Sequence, residues 1–261
     1  MLKTTMSRGY AISYNDSGRG PAVMLVPGYL QSAAEFEAAG YIDRLASHWR
    51  VLSVDPLGSG RSDRPHDPTP YHAPDVASDL IAVLDAEGID RAVLWGYSRG
   101  AWLVVVATLE VPDRVSGVVI GGAALTFPRP TGIPAWVDPL NRGDWDGFWK
   151  IFPVHLDAET RGRFERTNDP AALAAERVGR FDPWYPLDLN RISASALVYC
   201  GREDEPQGAM PTADALHTEL HIVEGCDHLQ TFVAVDRVMN FAIPFLTQQA
   251  ENGADSVPGT A

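Results

Sequence analysis

Four short apolar runs, AVMLV (22–26), VLSV (51–54), AVLWG (92–96) and VSGVVI (115–120), alternate along the 261-residue chain with segments of helical character. A short apolar run with no polar alternation fits a strand buried on both faces. Strands that alternate with helices build a parallel sheet between two helical layers, which restricts the fold to the α/β class. GYAISYN (9–15) adds a strand, set off from AVMLV by the turn signal DSGRGP, and SALVYC (195–200) and LHIV (220–223) add two more. Helices are expected at 75–87, stopped by Gly88, at 99–110 and at 231–247, where Pro244 should kink or end the last one.

Between 123 and 190 the alternation stops. This segment holds four of the seven tryptophans, and Trp145, Phe148, Trp149 and Phe152 fall at i, i+3, i+4 and i+7, one face of a helix. Asp169-Pro170 ahead of AALAAERVGR reads as a cap and first turn. A helical lid over 123–190 is therefore expected to dock on a core made of 1–122 and 191–248. Residues 249–261, ending ENGADSVPGTA, read as a flexible tail.

The net charge of −13 argues against nucleic acid, whose phosphates need a basic footprint. No uncharged run approaches a membrane span, and MLKTTMSRGYAISYNDSG has no signal-like apolar stretch. With only Cys200 and Cys226, a disulfide scaffold is excluded; both read as reduced, small apolar residues. Clustered Cys/His ligands and Gly-rich cofactor fingerprints are absent. The expectation is a cytoplasmic protein with no metal, no cofactor and a small-molecule partner.

The chemistry concentrates in AVLWGYSRGA (92–101), where Ser98 stands between Gly96 and Gly100, with a strand before it and AWLVVVATL after it. A strand-to-helix turn this sharp strains the serine backbone and leaves no room for a Cβ at either glycine. It lifts the hydroxyl clear of the sheet, above a helix N-terminus whose dipole favours developing negative charge. Such a turn is a nucleophile elbow.

With the elbow in place, residues 8–247 resemble the α/β-hydrolase family. LVPGYLQS (25–32) is similar to its oxyanion loop, with Pro27 where a histidine is usual. VDPLGSGRSDRP (54–65) is similar to its Asp-x-x-Gly-x-Gly-x-Ser loop, GRED (201–204) to the stretch carrying the acid, and GCDH (225–228) to the histidine loop. The resemblance implies an eight-stranded, mostly parallel twisted sheet and a Ser98–Asp204–His228 triad in the chain order of the family. His228 would take the serine proton and return it to the leaving group, and Asp204 would orient the imidazole. Glu203, Glu205 and Asp227 are rivals for the acid, and Gly-x-x-Asp spacing favours Asp204. Of the other histidines (His48, His66, His72, His155, His217, His221), none follows a strand end in that pattern.

The resemblance further places the oxyanion hole at the backbone N–H groups of Tyr29 and Arg99. The Arg99 side chain either pairs with an internal acid, the favoured reading, or greets an anionic substrate group. Trp136, Trp145, Phe148, Trp149 and Trp184 are candidates for the wall of an apolar substrate pocket, most of the stripe serving to dock the lid. The implied reaction is hydrolysis of a small, largely apolar ester or lactone through an acyl-serine. The alternatives are a carbon–carbon bond hydrolase, a cofactor-free perhydrolase or a slow-turnover ligand receptor. A serine at position 98 disfavours the branches that use an aspartate there.

Overall fold

Val93, Leu94, Trp95 and Tyr97 have almost no solvent contact, because β5 (Ala92–Tyr97) lies inside a sheet covered on both faces. The computed structural model describes residues 1–129, 131–152, 154, 156–204 and 206–255. His155, Glu205 and the last six residues of the expected tail lie outside the described residues.

Eight strands are described: β1 (Leu2–Ser7), β2 (Tyr10–Ser17), β3 (Ala22–Val26), β4 (Arg50–Val54), β5, β6 (Val115–Gly121), β7 (Ser195–Gly201) and β8 (Leu220–Val223). They lie in the order β1-β2-β4-β3-β5-β6-β7-β8. β2 runs antiparallel to both β1 and β4, and the remaining pairs are parallel, with Val26 beside Gly96 and Tyr97 beside Gly121. The sheet is thus eight-stranded, mixed and mostly parallel, as the resemblance implied.

The sheet separates two cores by simple alternation. Met24 and Val26 of β3 face a cluster built with α3 (Ala73–Ala86) and α4 (Arg99–Glu110). Val23 and Leu25 face the other, built with Phe36 of α1 (Ala33–Ala38), Tyr41 of α2 (Tyr41–Leu45) and elements from the end of the chain. Each large apolar side chain so buried stabilises the fold by roughly 1.5–3 kcal/mol.

Between β6 and β7, in the segment expected as a lid, come α5 (Val137–Asn141), α6 (Trp145–Ile151), α7 (Ala158–Thr167) and α8 (Pro170–Gly179). Asp169 caps α8, its carboxylate accepting the amides of Ala171 and Ala172, with Pro170 in the first turn. Polar links tie this segment to the core, among them the following. Tyr29 donates its hydroxyl to Leu173 O at 2.7 Å, Asn168 Nδ2 donates to Leu30 O at 2.9 Å, and His66 Nε2 lies 2.9 Å from Asp169 Oδ2.

The chain ends with α9 (Pro206–Ala215), α10 (His228–Val233) and α11 (Val235–Asp255). Pro244 neither ends α11 nor confines it to the expected range, and the helix continues into the stretch read as a tail. Tertiary packing overrides the local signal: Val238, Met239, Ala242 and Leu246 are buried on the sheet. One turn on, Gln249 fills the space that Gly117 of β6 leaves open.

Among the described residues no helix is long and apolar enough to cross a membrane, and no three His, Cys, Asp or Glu side chains group as metal ligands. Cys200 and Cys226 are buried free thiols.

Candidate active site

The strand order places a crevice. From β3 the chain moves to β4 on one side, and β5 then lies on the other, so the loops leaving β3 and β5 diverge at their carboxyl ends. Ligands of open α/β sheets bind at such a reversal.

Ser98 occupies that point with φ 53° and ψ −115°, a conformation L-residues rarely adopt, at a cost of about 1–3 kcal/mol. The glycines on either side are obligatory. A Cβ on Gly96 would collide with the Gly100 carbonyl, and one on Gly100 with the Val26 carbonyl. The Ser98 amide donates to Gly121 O at 2.8 Å, the last rung of the sheet, and its carbonyl accepts the Ala101 amide at 3.0 Å, the first turn of α4.

Facing the elbow is the loop after β3. A Cβ on Gly28 would stand 3.4 Å from Ser98 Cβ, so the two backbones pack closely. Gln31 braces this loop: its Oε1 accepts the Gly28 amide at 3.0 Å, and its own amide donates to Gly28 O at 3.3 Å. Leu30 is held at φ 68°. The backbone amides of Tyr29 and Arg99 donate to no protein acceptor among the described residues. Gln31 was absent from the sequence-based site, and the signal was an amide side chain three residues after the glycine of a loop lacking its usual histidine.

Asp204 and His228 come from loops after β7 and β8 and meet, with His228 Nδ1 2.8 Å from Asp204 Oδ2. Asp204 is positioned by its own amide, which donates to Gly201 O at 3.2 Å. His228 opens α10, and its carbonyl accepts the Tyr97 hydroxyl from the residue beside Ser98. The rivals are placed elsewhere. Asp227 caps α10, accepting the Gln230 amide at 2.8 Å, and Glu203 is exposed. Among the described residues no hydrogen bond joins Ser98 Oγ directly to His228. Such bonds are often long in a free enzyme and tighten as substrate fills the site.

The remaining histidines do other things. His221 stacks on Phe241, His48 contacts Ser47 and Trp49, His72 precedes α3 and His217 sits at φ 52°.

A cavity of about 220 Å³ opens beside Ser98, walled by Arg99, Trp102, Phe127, Arg180 and Phe181 together with the 122–125 backbone turn. These are not the aromatic residues singled out in the sequence. Phe148 and Trp149 form a lid core with Leu140, Phe164 and Leu173, and Trp136 and Trp145 pack on it. Trp184 stands behind the wall, 5.8 Å and 6.1 Å from the rings of Phe127 and Phe181. The i, i+3, i+4, i+7 stripe holds the lid together because its helix is short and must bury that face to persist.

Arg99 also departs from the favoured expectation. Its Nη1 donates to Ser59 Oγ at 3.0 Å and its Nη2 to Pro27 O at 3.5 Å, and no acid lies within ion-pair distance among the described residues. Burial pushes its pKa down, with Glu176 opposing and Arg180 adding to the effect. Arg177, stacked on Phe181, is brought to about 10, first by burial and then by Arg180. Ser59 belongs to the loop after β4, which is folded around Asp55: the buried carboxylate accepts the amides of Ala33 at 2.7 Å and Arg61 at 2.9 Å.

Comparison with known proteins agrees with this architecture. The family model described as "alpha/beta hydrolase fold" matches residues 21–157. A 2-hydroxymuconate semialdehyde hydrolase of Pseudomonas putida is 30% identical over 263 residues, covering 93% of both chains. An epoxide hydrolase of Caballeronia sordidicola is 28% identical over 188 residues, covering 71% of this chain and 56% of that protein. Among solved structures, the enol-lactonase from Burkholderia xenovorans superposes with a TM-score of 0.80 at 20% identity, covering 94% of this chain and all of that one. With the strand order, the strained serine and the Asp204–His228 pair already described, the chain belongs to the α/β-hydrolase fold family.

Proposed function

We propose that this protein is a serine hydrolase that cleaves a carboxylic ester or lactone of a small substrate through an acyl-serine intermediate. The observation that carries the reading is the Asp204–His228 contact at the same carboxyl end of the strands as the strained Ser98. A serine hydroxyl becomes an effective nucleophile only with a base to take its proton. His228 removes it as Ser98 attacks the carbonyl, and Asp204 holds the ring with Nε2 directed to the chemistry and stabilises the imidazolium. The carbonyl oxygen, gaining charge, is received by the Tyr29 and Arg99 amides, each such donor lowering the barrier by about 2.7–4 kcal/mol. His228 returns the proton to the leaving oxygen, and water repeats the sequence on the acyl-enzyme.

Carbon–carbon bond hydrolysis with the same residues is the second reading, favoured by the relative that covers 93% of both chains and is named for 2-hydroxymuconate semialdehyde. One panel separates them: short-chain 4-nitrophenyl esters, small lactones and 2-hydroxymuconate semialdehyde, each with wild type and Ser98→Ala. Ester turnover lost in Ser98→Ala, with fluorophosphonate labelling of Ser98, is the expected result. Labelling with turnover of the semialdehyde alone would replace the first reading by the second, and the absence of both labelling and turnover would end both.

A further inference from the structure

The polar side chains around the Ser98 cavity can all donate, and three of them carry a nitrogen without an acceptor. Arg99 and Arg180 keep 4% and 9% of their surface, and Trp102 keeps 2%. All three line the cavity, and Arg99 Nε, Arg180 Nε and Trp102 Nε1 have no hydrogen-bond partner among the described residues. Leaving one such buried group unpaired costs about 1–3 kcal/mol, more when it is charged. Three such residues at one cavity make its wall rich in donors.

The protein supplies one nearby carboxylate, Glu176, and it does not line the cavity. Glu176 Oε1 lies 3.4 Å from Arg180 Nε, within ion-pair range but without hydrogen-bond geometry, and Glu176 is not part of the cavity wall. Buried Arg99 and Arg180, with Arg177 beside them, stand against the single carboxylate of Glu176, a local excess of positive charge in a chain whose net charge is −13. Arg180 lies over the rings of Trp102 and Phe181, its guanidinium carbon 5.8 Å and 4.8 Å from their centroids. A planar, pre-set fork suits a carboxylate better than a point charge would.

We propose that the cavity takes a short substrate with its reacting carbonyl at Ser98 and a carboxylate at its other end, bound by Arg180 with Arg99 and Trp102 as further donors. The assignment rests on the hydrolase reading for the position of the carbonyl and refines its substrate class from largely apolar to monoanionic. A cavity of about 220 Å³ selects a short substrate.

The test compares 4-nitrophenyl butyrate with mono-4-nitrophenyl succinate, acyl groups of nearly equal size that differ by a terminal methyl against a carboxylate. The expected result is a kcat/KM at least tenfold higher for the succinate, carried mainly by KM. In Arg180→Met the succinate-to-butyrate ratio, which cancels any loss common to both esters, should fall at least tenfold, and Arg180→Lys should restore only part of it. A wild-type ratio of one or less, with butyrate cleaved, overturns the carboxylate assignment and leaves the hydrolase reading standing. If neither ester turns over, calorimetry of monomethyl succinate and methyl butyrate on Ser98→Ala decides without chemistry. Tighter binding of the carboxylate, lost in Arg180→Met, supports the assignment; equal binding overturns it.

Discussion

The side-chain oxygen of Gln31 accepts the amide proton of Gly28 at 3.0 Å, and Gly28 stands against Ser98. This contact fixes the loop whose next amide, that of Tyr29, is left free to donate. The brace acts in a loop where Pro27 stands in place of the usual histidine. Gln31→Leu should therefore lower kcat about ten- to a hundredfold, less than the loss of an oxyanion donor itself, with a smaller change in KM. Single-turnover measurement of acylation reads this directly, and an unchanged acylation rate would refute the bracing role.

Asp204 is the carboxylate that reaches His228, while Asp227 caps α10 and Glu203 is exposed. Asp204→Asn should lower turnover about ten-thousandfold while Ser98 stays accessible, because the wrong imidazole tautomer is then favoured. Asp227→Asn should leave the rate within a few-fold, since the Asp227 carboxylate caps α10. Comparable losses in the two variants would contradict the division of roles.

The elbow stores strain that only the reaction requires. Ser98→Gly should melt higher than Ser98→Ala, because glycine accepts φ 53° freely and alanine does not. Relief of about 1–3 kcal/mol, offset by the greater unfolded freedom of glycine, leaves roughly 1 kcal/mol, or about 2–4 °C in Tm for a chain of this size. Calorimetric scans of the two variants give the answer.

A charged network holds β1 and β2 to the core. Asp16 accepts from Arg50 and Lys3, while Glu87 meets the same two cations and the Tyr14 hydroxyl. The Arg50 guanidinium, aided by Lys3, holds the Asp16 carboxyl at about 2 despite the opposing effect of burial. Its folded value lies below the unfolded value near 3.9, so its stabilisation is fully present above pH ~4 and is lost as pH falls through about 2. Asp16→Asn should lower Tm at neutral pH, and the gap from wild type should close between pH ~4 and ~2. A gap constant across that window would exclude the linkage.

The elements most legible in the sequence were those with local causes. β5, β6 and α4 followed from uninterrupted apolar runs, α8 from its Asp169-Pro170 cap, and the elbow from glycines that no other residue can replace. β1 was not legible, because LKTTMS is largely exposed and becomes a strand only by pairing with β2. The persistence of α11 past Pro244 was not legible either, since it depends on a sheet face formed by distant residues.

The sequence by itself determined the class of fold and the position of a strained serine between two glycines. Both are consequences of backbone sterics and of apolar periodicity within a few residues. Tertiary structure decided which carboxylate meets His228, which side chain braces the oxyanion loop and which rings border the cavity. The first and last join residues far apart in the chain, Asp204 with His228 and Ser98 with Phe181, whereas Gln31 reaches Gly28 within one loop whose path the surrounding fold sets. It also decided that Arg99 would find only neutral acceptors, because a charge takes its meaning from the groups folded around it.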